Sequence, residues 1–278
     1  MFLLFDIGGT KMRIAISKDG ESFEETKIVS TPQDFQKGIQ TLTQIGKELM
    51  NGEKIKAVAG GIAGPLDKEK TMLLNSPNIP GWANKPLKDE LEKSFEAPLQ
   101  LQNDMALVGM GEALYGAGKN HRIVVYMTIS TGVGGSRIIN GKLDENAMGF
   151  EPGHQIIDIN SDELCGCGGK GHLEALIGGN ALERRYGKKP AEISDPTVWE
   201  EVAKSLAHGL HDTIVHWSPD IIILGGPTIL KEIGISLDRV QHHLKEIMTI
   251  FPEPPPLKKA ELQDVGGLYG ALALLKNQ

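Results

Sequence analysis

One local arrangement occurs twice in the chain, and it limits the fold more than any other feature. Phe2–Phe5 is an apolar run that meets Asp6-Ile7-Gly8-Gly9-Thr10-Lys11, followed by a second apolar stretch, Met12–Ile16, and the turn Asp19-Gly20. Val124–Ile129 is another such run. It leads into Ser130-Thr131-Gly132-Val133-Gly134-Gly135-Ser136, then Arg137-Ile138-Ile139 and the turn Asn140-Gly141. Each copy reads as strand, glycine turn, strand. The glycines let backbone N–H groups approach an anion, and Thr10 adds a hydroxyl donor. Taken alone, either turn is equally well a plain hairpin. The recurrence of Gly8-Gly9-Thr10 as Gly134-Gly135-Ser136 is what suggests two turns that hold a nucleotide's phosphates. Neither is a Walker loop, because no G-x-x-x-x-G-K-[ST] occurs.

Between and after these copies, helical and strand patterns alternate. Thr31-Pro32 reads as a helix start, with Phe35, Ile39, Leu42, Ile45 and Leu49 at helical spacing up to Asn51-Gly52. Ala57–Ala59 opens a short strand into Gly60-Gly61-Ile62-Ala63-Gly64-Pro65. Asn75–Trp82 is a dense cluster of turn formers, hence a loop. Leu99–Gln102 is a strand that ends at Asn103-Asp104, ahead of a helix bearing Ala106, Leu107, Met110 and Leu114. Asp104 has two open readings. It is a helix N-cap, or a general base kept ionised by the helix N-terminus. Glu174–Tyr186 reads as one helix and Val198–Trp217 as a longer one. Ile221–Leu224 is an unbroken apolar strand suited to a covered sheet. The adjoining Gly225-Gly226-Pro227 is either a simple turn or a close approach to a flat ring. Pro252–Pro256 is a stiff connector, and Gly266-Gly267-Leu268-Tyr269-Gly270-Ala271 starts the last helix.

Glu151–Glu174 concentrates metal-binding chemistry. It holds the chain's only two cysteines, Cys165 and Cys167, with His154 and His172 nearby. Four thiolate and imidazole ligands in a glycine-rich loop are what a closed structural zinc site needs. The alternative is two reduced cysteines beside bystander histidines. A net charge of −7 argues against nucleic acid as partner, and two cysteines argue against a disulfide framework. Met1–Phe5 meets Asp6 at once and is too short for a signal peptide or membrane span. A soluble cytoplasmic protein is expected.

These residues carry a resemblance. Glu151-Pro152-Gly153-His154 resembles the E-x-G-H motif of the ROK family of sugar kinases and repressors, and Cys165–Glu174 resembles that family's C-x-C-G-x-x-G-C-x-E motif, with His172 in place of the usual third cysteine. Gly149-Phe150 departs from the usual Ala-Gly. DIGGTK and STGVGGS are similar to the family's two phosphate motifs. The resemblance implies an α/β protein of two duplicated ribonuclease H-like domains, of the actin/hexokinase type, with an interdomain cleft. The expected small domain is 1–106 plus 265–278, and the large one is 107–264. It further implies ATP, Mg²⁺ and structural Zn²⁺. Asp6 would organise Mg²⁺ through water, and Gly8, Gly9, Thr10, Lys11, Thr131, Gly132 and Gly134 would hold phosphates. Gly225 and Gly226 would line the adenosine pocket. Asp104 would be the catalytic base. Gly64, Asn78, Asn103, Asp104, Glu151, His154 and Glu174 would contact the sugar, and His154, Cys165, Cys167 and His172 would bind the metal. The expected activity is transfer of the ATP γ-phosphoryl group to a hexose, foremost the 6-hydroxyl of glucose. The alternatives are an N-acetylhexosamine or fructose kinase, or a sugar-responsive repressor. The repressor is disfavoured because the first strand begins at Phe2 and leaves no room for a DNA-binding domain. A homodimer is expected, and metal loss is expected to weaken sugar binding more than ATP binding.

Overall fold

The computed structural model describes residues 1–76, 78–144, 146 and 149–276. Pro77 of the turn-rich loop and the last two residues of the expected small domain lie outside them. The chain divides into two compact units, Met1–Tyr115 with Leu262–Gln278, and Gly116–Glu261.

In the first unit, β1 (Phe2–Ile7) turns back antiparallel through β2 (Lys11–Ser17) to β3 (Thr26–Ser30). Helix α1 (Phe35–Met50) then crosses to β4 (Ala57–Ile62), which lies parallel to β1. Helix α2 (Leu87–Phe95) crosses to β5 (Leu99–Asn103), parallel to β4, and α3 (Asp104–Leu114) comes next. The sheet order is β3-β2-β1-β4-β5. Burial of Leu3, Phe5, Ile7, Met12, Ile14, Phe35, Leu42, Trp82, Leu91 and Leu99 forms the core. Trp82 stacks edge-on against Phe35 at 5.4 Å and donates its indole N–H to the Pro32 carbonyl at 2.8 Å.

Two details differ from the sequence expectation. Helix α1 starts three residues beyond Pro32: Asp34 is its cap, accepting from the Lys37 amide at 2.9 Å, while Thr31 donates its hydroxyl to the Gly8 carbonyl at 2.7 Å. Thr31 therefore fastens the glycine turn. Strand β4 runs three residues past Ala59 because it pairs with β1 along its whole length.

In the second unit, β6 (Ile123–Ile129), β7 (Val133–Ile139) and β8 (Lys142–Leu143) repeat the antiparallel ribbon. After a long loop come α4 (Leu173–Ile177), α5 (Gly179–Tyr186), α6 (Pro196–Trp217) and β9 (Ile221–Gly225), the last parallel to β6. Then α7 (Pro227–Leu230), α8 (Leu237–Ile247) and β10 (Leu257–Lys259), parallel to β9, complete the unit. The sheet order β10-β9-β6-β7-β8 is the first unit's order read from the other edge, so the duplication holds strand by strand. Val125, Met127, Leu173, Leu206, Leu210, Ile222, Leu224 and Leu244 are the centre of its core. The expected single helix over Glu174–Tyr186 is two, broken at Gly178, whose backbone is extended at φ −64°, ψ 143°. The break lets the Gly179 amide donate to the Ser130 carbonyl at 2.7 Å.

The last helix, α9 (Gly266–Lys276), returns to the first unit and packs on α3. A Cβ on Gly270 would come within 1.9 Å of the Leu107 carbonyl, and one on Gly111 within 2.5 Å of that of Gly266. Only glycines allow this crossing. It keeps α3 in the first unit, so the boundary falls at Tyr115 and not at residue 106.

Candidate functional site

In each unit the candidate residues gather at the carboxyl ends of parallel strands, where open α/β sheets bind ligands. Asp6 is near the end of β1 and pairs in register with Gly61 of β4. Gly64 lies just past β4, while Asn103 and Asp104 join β5 to α3. The structure gives the capping role at this junction to Asn103 and not to Asp104. Asn103 is the cap, accepting from the Met105 and Ala106 amides at 2.9 and 3.3 Å. Its amide group donates to the Gly64 carbonyl at 2.9 Å, which ties those two predicted residues together. Gly64 sits at φ +131°, a conformation L side chains rarely adopt.

Asp104 is thus free of the capping duty, although its Oδ1 still accepts from the Met105 amide at 2.9 Å. Burial, with the charge of Asp6 second, pushes its carboxyl up to about 7. This corrects the expectation that the helix N-terminus keeps it ionised: desolvation outweighs the amide dipoles. A base that titrates near neutrality is well matched to accepting a hydroxyl proton.

Asp6 is itself raised by burial, and Arg13 pulls it back down. The Arg13 guanidinium donates to Asp6 Oδ2 at 3.1 Å and to Asp264 Oδ1 at 3.0 Å. Sequence inspection overlooked Arg13 and Asp264, because Arg13 looks like one polar position in an alternating strand. The Gly8 amide closes the first turn on the Lys11 carbonyl at 2.9 Å, and Thr10 and Lys11 are exposed on it. Asn78 lies against this turn: a Cβ on Gly9 would meet its Cβ at 2.6 Å.

In the second unit, the Ser130 amide donates to the Gly132 carbonyl at 2.9 Å, and the Val133 amide donates to Glu174 Oε2 at 2.9 Å. Among the described residues, the Thr131 and Gly132 amides between them have no protein acceptor. Gly134 is the next residue along β7. Beside this turn lies a cavity of about 310 Å³ lined in part by Thr131, Asn180, Glu183, Lys189, Thr228 and Lys231. Pro227 and Thr228 line it, whereas Gly225 and Gly226, expected there, do not. A Cβ on Gly226 would reach the Ile129 carbonyl at 2.2 Å, so its glycine is a packing requirement. Asn180 and Glu183 were not singled out from sequence. Their three-residue spacing on one short helix face was the available signal.

The long loop brings His154, Cys165, Cys167 and His172 together, with one ligand atom from each lying within 4.8 Å of the others. The two Nδ1 atoms are 3.3 Å apart, Cys165 Sγ is 3.5 Å from His154 Nδ1, and Cys167 Sγ is 3.4 Å from His172 Nδ1. Tetrahedral zinc, with bonds of about 2.0–2.1 Å to nitrogen and about 2.3 Å to sulfur, spaces its ligands at roughly 3.3 Å (N to N) and roughly 3.6 Å (N to S). The quartet fits that ion. Without metal, burial pushes the Cys165 thiol up to about 12, and a bound cation would reverse this. Both histidines turn Nδ1 inward, so His154 keeps Nε2 for Glu151, whose Oε2 is 3.9 Å away. Partial desolvation raises the Glu151 carboxyl, with His154 pulling it down and Glu174 pushing it up. Glu174 is anchored through Oε2 on the Val133 amide, and its Oε1 accepts from Cys165 Sγ at 3.2 Å while Cys165 is a metal-free thiol. Among the described residues no helix is long and apolar enough to cross a membrane.

Comparison with known proteins gives one answer at family level. A model of the ROK family matches residues 3–278. A glucokinase of Thermotoga maritima is 33% identical over a 310-residue alignment that covers 98% of this chain and 96% of that protein. An N-acetylmannosamine kinase of Haemophilus influenzae is 28% identical over 292 residues, covering 99% and 95%. A ROK hexokinase structure from Thermus thermophilus superposes with a TM-score of 0.89 at 27% identity, covering 100% of this chain and 99% of that one.

Proposed function

The chain belongs to the ROK family, and from that membership we propose that this sugar kinase transfers the γ-phosphoryl group of ATP to the 6-hydroxyl of glucose. Asp104 carries the reading: an acid raised to about 7 at the carboxyl end of β5 takes up a hydroxyl proton near neutral pH. The hydroxyl oxygen bonds to the γ-phosphorus as the bond to the β-phosphate bridging oxygen breaks, and the proton passes to Asp104. Asn103, Gly64 and Asn78 orient the acceptor, while Glu151, His154 and Glu174 keep the sugar role that the resemblance assigns. The Thr131 and Gly132 amides, with Gly8, Gly9, Thr10, Lys11 and Gly134, hold phosphates. The cavity beside Thr131 takes the nucleoside.

When present with the nucleotide, Mg²⁺ would offset the charge of the phosphates. Asp6 would hold it through water with the carboxylate oxygen that Arg13 leaves. Zinc would close the His154–Cys165–Cys167–His172 quartet as a structural site. The reading includes a homodimer in the cytoplasm, which light scattering and fractionation check.

Glucose rests on the Thermotoga relative. The Haemophilus relative supports N-acetylmannosamine as a second reading. A coupled ADP-release assay over glucose, mannose, fructose, allose, N-acetylglucosamine and N-acetylmannosamine decides between them. Highest kcat/KM on glucose is expected. A maximum on N-acetylmannosamine would replace glucose, and no ADP release with any sugar would sink the kinase reading.

A further inference from the structure

The residues just past the metal-binding quartet bond directly to the second glycine turn. Glu174 is two residues past His172, and its Oε2 accepts from the Val133 amide at 2.9 Å. The carboxylate lies close against the turn: a Cβ on Gly132 would come within 2.4 Å of the same oxygen. The other oxygen, Oε1, is 3.2 Å from Cys165 Sγ. Further along the same segment, the Gly179 amide donates to the Ser130 carbonyl at 2.7 Å and the Asn180 amide to the Thr131 carbonyl at 2.9 Å. Residues 174–180 therefore hold three of the four residues Ser130–Val133 in place. Among the described residues, the two amides of this turn without a protein acceptor are those of Thr131 and Gly132.

We infer that Glu174 is a positioning residue for nucleotide binding: it ties the Thr131–Val133 turn to the His/Cys loop, so the order of that loop sets the affinity for the nucleotide's phosphates. The inference rests on the assignment of this turn to phosphates made above. It also changes what metal loss should do. The Glu174 contact extends the loop's influence to the nucleotide as well as the sugar.

Calorimetry with AMPPNP and Mg²⁺, with no sugar present, tests this, since no sugar contact can then account for a change. Zinc is measured in every sample by elemental analysis. Glu174→Leu removes the acceptor while keeping bulk, and should weaken AMPPNP binding roughly tenfold, the order of one hydrogen bond. Glu174→Gln keeps an oxygen for Val133 and should bind within about twofold of wild type. Zinc-loaded Glu174→Leu with wild-type affinity overturns the inference. Amide exchange supplies a second measure that needs no variant: chelating the metal from the wild-type protein should deprotect residues 130–135, and unchanged protection would also overturn it. A wild type that neither binds AMPPNP nor phosphorylates any sugar removes the kinase reading and this inference together. An active wild type with unaltered Glu174→Leu removes this inference alone.

Discussion

The two glycine turns are the same backbone device supported in different ways. In the first unit, neighbouring backbone and short polar side chains hold the turn: Thr31 on the Gly8 carbonyl, Gln33 on the Gly9 carbonyl and Asn78 packed on Gly9. Charge gathers at the ends of its parallel strands, with Asp6, Arg13, Asp264 and Asp104 close together. In the second unit, a long segment between β8 and α4 does the supporting, and it holds the His/Cys quartet. The equivalent connection in the first unit, from β3 to α1, is only residues 31–34. A short connection is held by its strands. A long one with exposed Ile156, Ile159 and Leu164 has little core of its own, and a metal cross-link is a direct way to order it. The duplicated sheets thus keep one topology while the loops differ; under the proposed function, acid–base chemistry falls to one copy and metal-ordered binding residues to the other.

Four experiments test this division. The largest effect is expected for Asp104→Asn, which keeps shape but accepts no proton. Its kcat should fall roughly 10²- to 10⁴-fold while calorimetry shows sugar still bound; near-wild-type turnover would take the chemistry away from the first unit. In the wild type, kcat/KM should rise with pH through about 7 as Asp104 deprotonates.

Next come paired glycine variants. Gly9→Ala drives a methyl onto Asn78 and Gly132→Ala drives one onto Glu174. Both should weaken AMPPNP binding, by roughly tenfold or more if one phosphate hydrogen bond is lost. Gly132→Ala alone should also lower zinc content. Equal zinc content in the two variants would show that the turns are supported independently of the metal loop.

The third compares His172→Ala with His172→Cys. The alanine variant should lose zinc, and the cysteine variant should retain it, because thiolate is a ligand of the same class. Imidazole protonates more readily than a zinc-bound thiolate, so the wild type should release metal at a higher pH than the cysteine variant. Full zinc occupancy in His172→Ala would remove that residue from the site.

The smallest effect is on stability. The Asp104 carboxyl is raised in the folded state, so its contribution to stability is fully present below the unfolded value of 3.8 and is lost as pH rises through about 7. Asp104→Asn has no such loss. Its melting temperature should exceed the wild type's by a margin that grows from pH 4 to pH 7 and is flat above. A margin independent of pH would mean that Asp104 is not desolvated as the fold implies.

Much of this molecule is legible before folding. Strand–turn–strand patterns, the apolar helix faces and the turns at Asp19-Gly20 and Asn140-Gly141, where Gly20 and Gly141 adopt φ of +79° and +75°, come from short-range sterics and periodicity. The metal ligands could be proposed because Cys165, Cys167 and His172 lie within one short stretch, whose residue types few other purposes explain. The sheet order was legible only as a consequence of the repeat. The charge state of Asp104, the pairing of Arg13 with Asp264 from 251 positions away and the anchoring of Val133 by Glu174 came only with the tertiary fold. Each depends on desolvation or on a contact under about 3.5 Å between segments far apart in the chain, and neither quantity exists until the chain has folded.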